Sequence, residues 1–367
     1  MHNRVTVSWR LRLGVSLCIA LVVTALRCGR YESLNERSSV TGLCTSPSGR
    51  LVAFEFTRTG SPTHIWVVSF KDGKPLLRLR KQHAIRVVGW GRGDSCLYVL
   101  DDGRVACFEL GKHEESLVSI RLPRKATKSP RISEARYIAA LDVFVVRASF
   151  EKHPEVLYAV PAGGGHATPI ATNRLVVNAA NLATDGRSLV IIASERCEAP
   201  ERQRPGAAGR LRLYHYPPAG APTALSLPVG LGAVGRGGIT PDGAWAVLPF
   251  RDYPWDPPLS HLYAIDLAHG AVAKQVVYRG AVAVAATGPK GTFLLIGPTT
   301  LATIGLDDFK PRALPGGPVG MPTSFTMRGN TEAVIAVDNG GEVWVVEIAT
   351  GERRLLWKPM IADLTAK

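Results

Sequence analysis

Apolar and polar positions alternate with a period of two along most of this chain, as in "LVAFEF" from Leu51, "TFLLIG" from Thr292 and "EVWVVEI" from Glu342. That period predicts strands with alternating faces. A helix would repeat every 3.6 residues, and no stretch reads as a long amphipathic helix. Tight-turn residues stand in front of many of these runs. "SPSGRLVAFEF" at Ser46, "TDGRSLVIIAS" at Thr184 and "TPDGAWAVLPF" at Thr240 restate one hairpin opening. Further turns of this kind fall at Gly93-Asp94, Lys290-Gly291 and Gly329-Asn330, with a degenerate version at Leu141-Asp142. Asp-Gly and Ser-Gly supply the positive φ that such turns need, which assigns Asp185 and Asp242 to turn chemistry rather than to metal binding.

A second echo follows each first one. Its strands carry Trp66, Ala106, Tyr158, Tyr214, Tyr263, Thr303 and Trp344 at one shared position, in steps of 40, 52, 56, 49, 40 and 41 residues. Another turn and a short closing strand complete most units, as in "KDGKPLLRLR". A four-stranded unit recurring at this spacing predicts an all-β chain, a seven-bladed β-propeller of four-stranded antiparallel blades. One small twisted sheet cannot bury both faces, whereas a ring of them buries each against its neighbour. The aromatic series is then packing between blades. The first and last blades each read as complete, so closure is expected from apolar packing, with Trp344 and Trp357 as contributors.

"SPSGRLVAFEF…HIWVVSFKDGKPLLRL" and "TPDGAWAVLPF…HLYAIDL" resemble the WD-like propeller repeats of TolB-type periplasmic proteins, which read S-P-D-G, an apolar strand, then an aromatic-containing strand ending in Asp. The resemblance runs over roughly residues 40–358. It implies the propeller fold. TolB proteins carry an α/β domain before their propeller, and only about fifteen residues separate the N-terminal apolar segment from the first blade here. The resemblance therefore does not imply TolB's own envelope role.

Composition suits a folded chain: 367 residues, 46% hydrophobic, 20% charged, with 37 glycines and 26 prolines for turns. The net charge is +14, and 32 of the 44 basic residues are Arg. These charges are scattered along strands and loops rather than gathered in one arm, so nucleic acid is not an expected partner.

The N-terminus places Arg4, Arg10 and Arg12 ahead of an uncharged run, residues 13–26. That length suits the apolar core of a signal peptide better than a membrane span. Residues 1–25 are expected to be a cleaved export signal, with an uncleaved anchor or a lipoprotein lipidated at Cys28 as alternatives. Arg27 argues against lipidation, because a small residue normally precedes the modified cysteine. A short linker (26–39), the propeller (40–359) and a tail (360–367) would follow, in a periplasmic or extracellular monomer touching the membrane only through its N-terminal segment.

No zinc spacing is present, and the nine histidines show no paired spacing, so no metal or cofactor is assigned. Cys96 and Cys107 flank the turn "DDGR" and should lie diagonally on one face, close but not directly opposed, with buried free thiols expected for most of the cysteines. G-x-S-x-G, P-loop, H-E-x-x-H and C-x-x-C-H motifs are absent, and no catalytic residue is assigned. What distinguishes the chain is where its connections are long. Residues 194–210 and 251–260 link second to third strands, and the basic stretch 121–131 links two blades. All three should emerge on one face of the ring. Long loops on one side of a rigid scaffold are where binding concentrates. The candidate binding residues are Asp252, Tyr253, Trp255 and Asp256, with Arg202, Arg204, Arg124 and Lys125 beside them. The expected function is a non-catalytic scaffold for an envelope protein or glycan. The alternative is a hydrolase or lyase with its site in the central funnel.

Overall fold

The computed structural model describes residues 38–359, apart from 123–130, 171–175, 185–188, 196–209, 217–222, 226–236, 252–259 and some shorter stretches. Seven four-stranded antiparallel sheets follow one another along these residues, each in simple up-and-down order. Blade one is Ser38–Thr45, Leu51–Arg58, His64–Ser69 and Pro75–Arg80. Blade seven is Pro322–Arg328, Glu332–Val337, Glu342–Glu347 and Arg353–Trp357. Neither borrows a strand from the other.

The repeated turn has a local cause. In blade one the N–H of Gly49 donates to the carbonyl of Ser46, and the N–H of Leu51 donates to the Ser46 hydroxyl. In blade five Gly243 and Trp245 do the same with Thr240. Gly49 and Gly243 both have φ of +69°, and Asp142 takes φ of +54° in the degenerate turn. Asp242 accepts from the Thr240 hydroxyl at 2.5 Å and from the N–H of Ala244 at 3.0 Å. Those bonds hold its carboxyl below the usual range and tie its Oδ1 into the turn.

Seven apolar clusters fill the described interior, one at each junction between neighbouring blades. The shared position of the third strand has a fixed role in them. Tyr158 packs toward blade two, Tyr214 toward blade three, Tyr263 toward blade four and Trp66 toward blade seven. Each marker reaches back to the blade before its own. Trp344 obeys the same rule and packs toward blade six, not toward blade one as expected from the sequence. The aromatic contributors at the closing junction are instead Trp66 and Trp357, with Phe54 and Phe56. The seam also carries polar ties: Thr323 donates to the carbonyl of Val40 at 2.6 Å, and Thr45 to that of Met327 at 2.8 Å.

Cys96 and Cys107 lie diagonally as expected, since Cys107 stands opposite Tyr98 and Cys96 opposite Glu109. They are bonded as a disulfide, with Cα atoms 6.1 Å apart. Free thiols were the expectation for most cysteines, and this pair departs from it because strand twist brings diagonal neighbours together. Cys44 keeps its thiol, directed at the carbonyl of Thr45. A parallel ladder adds to the blades: Ile120–Arg121 pairs with Gly165–His166, tying the exit of blade two to blade three. No helix among the described residues is long and apolar enough to cross a membrane.

Candidate ligand site in the axial channel

The eight loop residues singled out from the sequence, Arg124, Lys125, Arg202, Arg204, Asp252, Tyr253, Trp255 and Asp256, lie outside the described residues. So do residues 1–37, with Cys28, and the tail 360–367.

The described residues do form a cavity of about 750 Å³ against the innermost strands of blades seven, one, two and three. Thr41, Glu55, Arg86, Glu134, Arg136 and Tyr137 supply much of its polar lining. Sequence reading left this funnel open, because its walls come from separate inner strands far apart in the chain.

Glu55 is its most constrained group. It sits in the second strand of blade one and faces blade two, while its neighbours Phe54 and Phe56 are buried on the opposite face, toward blade seven. The Thr41 hydroxyl donates to its Oε2 at 3.0 Å, and the N–H of Val87 in blade two donates to its Oε1 at 2.8 Å. One carboxylate thereby caps an edge donor of the next blade. Burial pushes its carboxyl up, against the opposing pull of these two bonds and of Arg86. Room for it comes from Gly42, at φ of +59°, beside a break in register between Thr41 and Cys44. A Cβ at Gly42 would collide with the Glu55 carboxylate.

Glu134 is held differently. The register breaks just before it, at Ser133, while Glu134 stands opposite Arg147, and Arg147 and Arg136 pair with its two oxygens at 2.8 and 3.3 Å. Arg86 crosses to blade three and donates to the carbonyl of Ser133 at 3.3 Å. Tyr137 donates to Asp142 at 2.6 Å and packs on Tyr98 and Phe144. Breaks of this kind recur in the innermost strands, at Val87/Gly89 and Pro322/Ser324 as well. Bulges re-aim the backbone locally, and the one at Gly42 makes room for the Glu55 carboxylate at the channel wall.

The channel thus holds two carboxylates beside two guanidiniums, neither apolar nor of one charge. Among the described residues no group of three or more His, Cys, Asp or Glu is placed to hold a metal ion. A trace of the site was legible in the sequence: Glu55 interrupts an otherwise apolar run with a charge. Its partners were not, since Val87 lies 32 residues away.

No protein-family model matches the chain, and no curated protein matches its sequence. Solved structures do. A puromycin-hydrolysing peptidase of Mycobacterium tuberculosis aligns at 14% identity and a TM-score of 0.62, over 89% of this chain and 55% of that one. An oligogalacturonate lyase in complex with manganese aligns at 12% identity and a TM-score of 0.54, over 84% and 89%. A putative TolB from Agrobacterium tumefaciens aligns at 12% identity and a TM-score of 0.42, over 88% and 89%. At such identities the likeness concerns the fold alone. By its repeats and its sheets together, the chain is a β-propeller.

Proposed function

We propose that this propeller is an exported, non-catalytic binding protein that receives a polar envelope ligand, a glycan chain or a protein loop, at its axial channel. The carrying observation is the channel lining, in which Glu55 and Glu134 are already bonded to neighbouring strands of the protein. Groups held in this way act as fixed hydrogen-bonding partners for a ligand and cost it little reorganisation. The long loops with Tyr253 and Trp255 would add aromatic contacts at the rim. Saturation-transfer NMR with a panel of neutral and acidic oligosaccharides, and capture from an envelope extract, test the reading. Wild-type protein should bind, and Arg136→Ala should weaken binding about ten-fold. No binding in either assay, or binding indifferent to Arg136→Ala, would overturn it.

One observation favours the enzymatic alternative. Glu55 is a carboxyl pushed up by burial in a cavity, a state suited to a general acid. Product release from the same oligosaccharide panel, abolished by Glu55→Gln, would replace binding by turnover.

A further inference from the structure

A second cavity, of about 690 Å³, lies on the turn side of the seam between blades one and seven. Leu51, Phe70 and Leu76 give it apolar walls, and Arg50, Lys71, Arg328 and Arg354 surround them. The cations are unequally satisfied. Arg50 pairs with Asp94 at 3.3 Å, and Arg328 pairs with Glu332 while donating to the carbonyl of Gly49 at 2.7 Å. Lys71 and Arg354 have no carboxylate partner among the described residues. Arg354 is instead spread on the ring of Phe70, 4.5 Å from its centre, and donates to the Phe70 carbonyl at 3.2 Å. The guanidinium of Arg328 lies 3.8 Å from the same ring.

Leu76 completes the feature. It is the extra residue where the register of blade one's outer strand shifts, between the pairs Val67↔Leu77 and Val68↔Pro75. The bulge aims it outward, and it stays 57% exposed beside two unpaired cations. Among the described residues its strand, Pro75–Arg80, is hydrogen-bonded along one edge only, to His64–Ser69. An apolar wall, unmatched positive charge and an open strand edge therefore meet at one place.

We infer that this seam pocket binds an acidic peptide segment, an apolar side chain flanked by carboxylates. The apolar side chain would fill the space between Phe70 and Leu76, and the carboxylates would meet Lys71 and Arg354. The peptide backbone would have the open edge of Pro75–Arg80 to pair with. A peptide is favoured over a lipid headgroup because a headgroup makes no use of a strand edge.

Fluorescence anisotropy with a labelled, capped Glu-Leu-Glu-Phe-Glu peptide tests this. Saturable binding is expected, weakening about ten-fold between about 50 and about 300 mM salt. Lys71→Glu and Leu76→Asp, both at exposed positions, should each weaken it about ten-fold. Arg136→Ala in the channel should leave it unchanged, which separates this site from the axial one. The same peptide with Lys for Glu should not bind. Absence of saturable binding, indifference to both seam variants, or retention on phosphatidylglycerol vesicles without peptide binding would each overturn the inference. Unchanged thermal unfolding of the two seam variants establishes that they are folded.

Discussion

The indole of Trp357, in the last strand of blade seven, stands 4.8 Å from the ring of Phe54 in blade one. Trp66 approaches the same indole at 5.6 Å, and Phe56 meets it edge-on at 5.6 Å. The ring is thus closed by aromatic packing from its final strand, with no ladder shared between first and last blades. Replacing Trp357 by Ala should cost about 3–5 kcal/mol, as for other buried Trp→Ala changes, measured by urea unfolding. A loss below about 1 kcal/mol would show that the polar ties of the seam hold it unaided.

Truncation separates the strand from the tail. Removal of residues 360–367 should leave the unfolding midpoint nearly unchanged. Removal from Glu352 onward takes away Arg353–Trp357 and exposes the edge of Glu342–Glu347, so aggregation is expected by light scattering. Unfolding by the shorter deletion alone would give the tail a structural role.

Glu55 sets a pH dependence with a definite sign. Its folded carboxyl is raised above the ordinary value of 4.5, so the folded state holds a proton that the unfolded state has released. This contribution is fully present below pH 4.5 and is lost as pH rises through the folded value. Glu55→Gln should therefore raise the melting temperature at pH 7 by about 1 to 3 °C, with no gain at pH 4. A Glu55→Gln protein less stable than wild type at pH 7 would mean that the ionised form is favoured there.

At the loop face, the double change Tyr253→Ala and Trp255→Ala should leave thermal unfolding unchanged and weaken capture of the envelope ligand. Pull-down with undiminished yield would remove these two rings from the binding surface.

Export is tested by fractionation. Expressed with its own N-terminus in a Gram-negative host, the protein should appear outside the cytoplasm, shortened by about 25 residues. A full-length cytoplasmic product would refute export. A membrane-bound product lost on Cys28→Ser would instead establish lipidation.

The repeat, its four strands and its turns were legible in the linear chain because their causes are local. Period-two alternation fixes which faces are buried, and residues such as Gly49, Gly243 and Asp142 fix where the chain can reverse. Even the marker aromatics announced themselves as inter-blade packing. Which blade each one touches did not follow: Trp66 reaches blade seven and Trp344 reaches blade six, because the direction in which a sheet face looks is decided by the ring. The candidate sites show the same division. Glu55 was not singled out from the sequence, where it is one charge in an apolar strand, because its bond to Val87 exists only once two blades are packed. Arg328 and Phe70 lie at opposite ends of the chain and meet only where the ring closes. Local chemistry carries strands and turns. Contacts between blades depend on the relative placement of whole sheets, and burial in the closed ring supplies that placement.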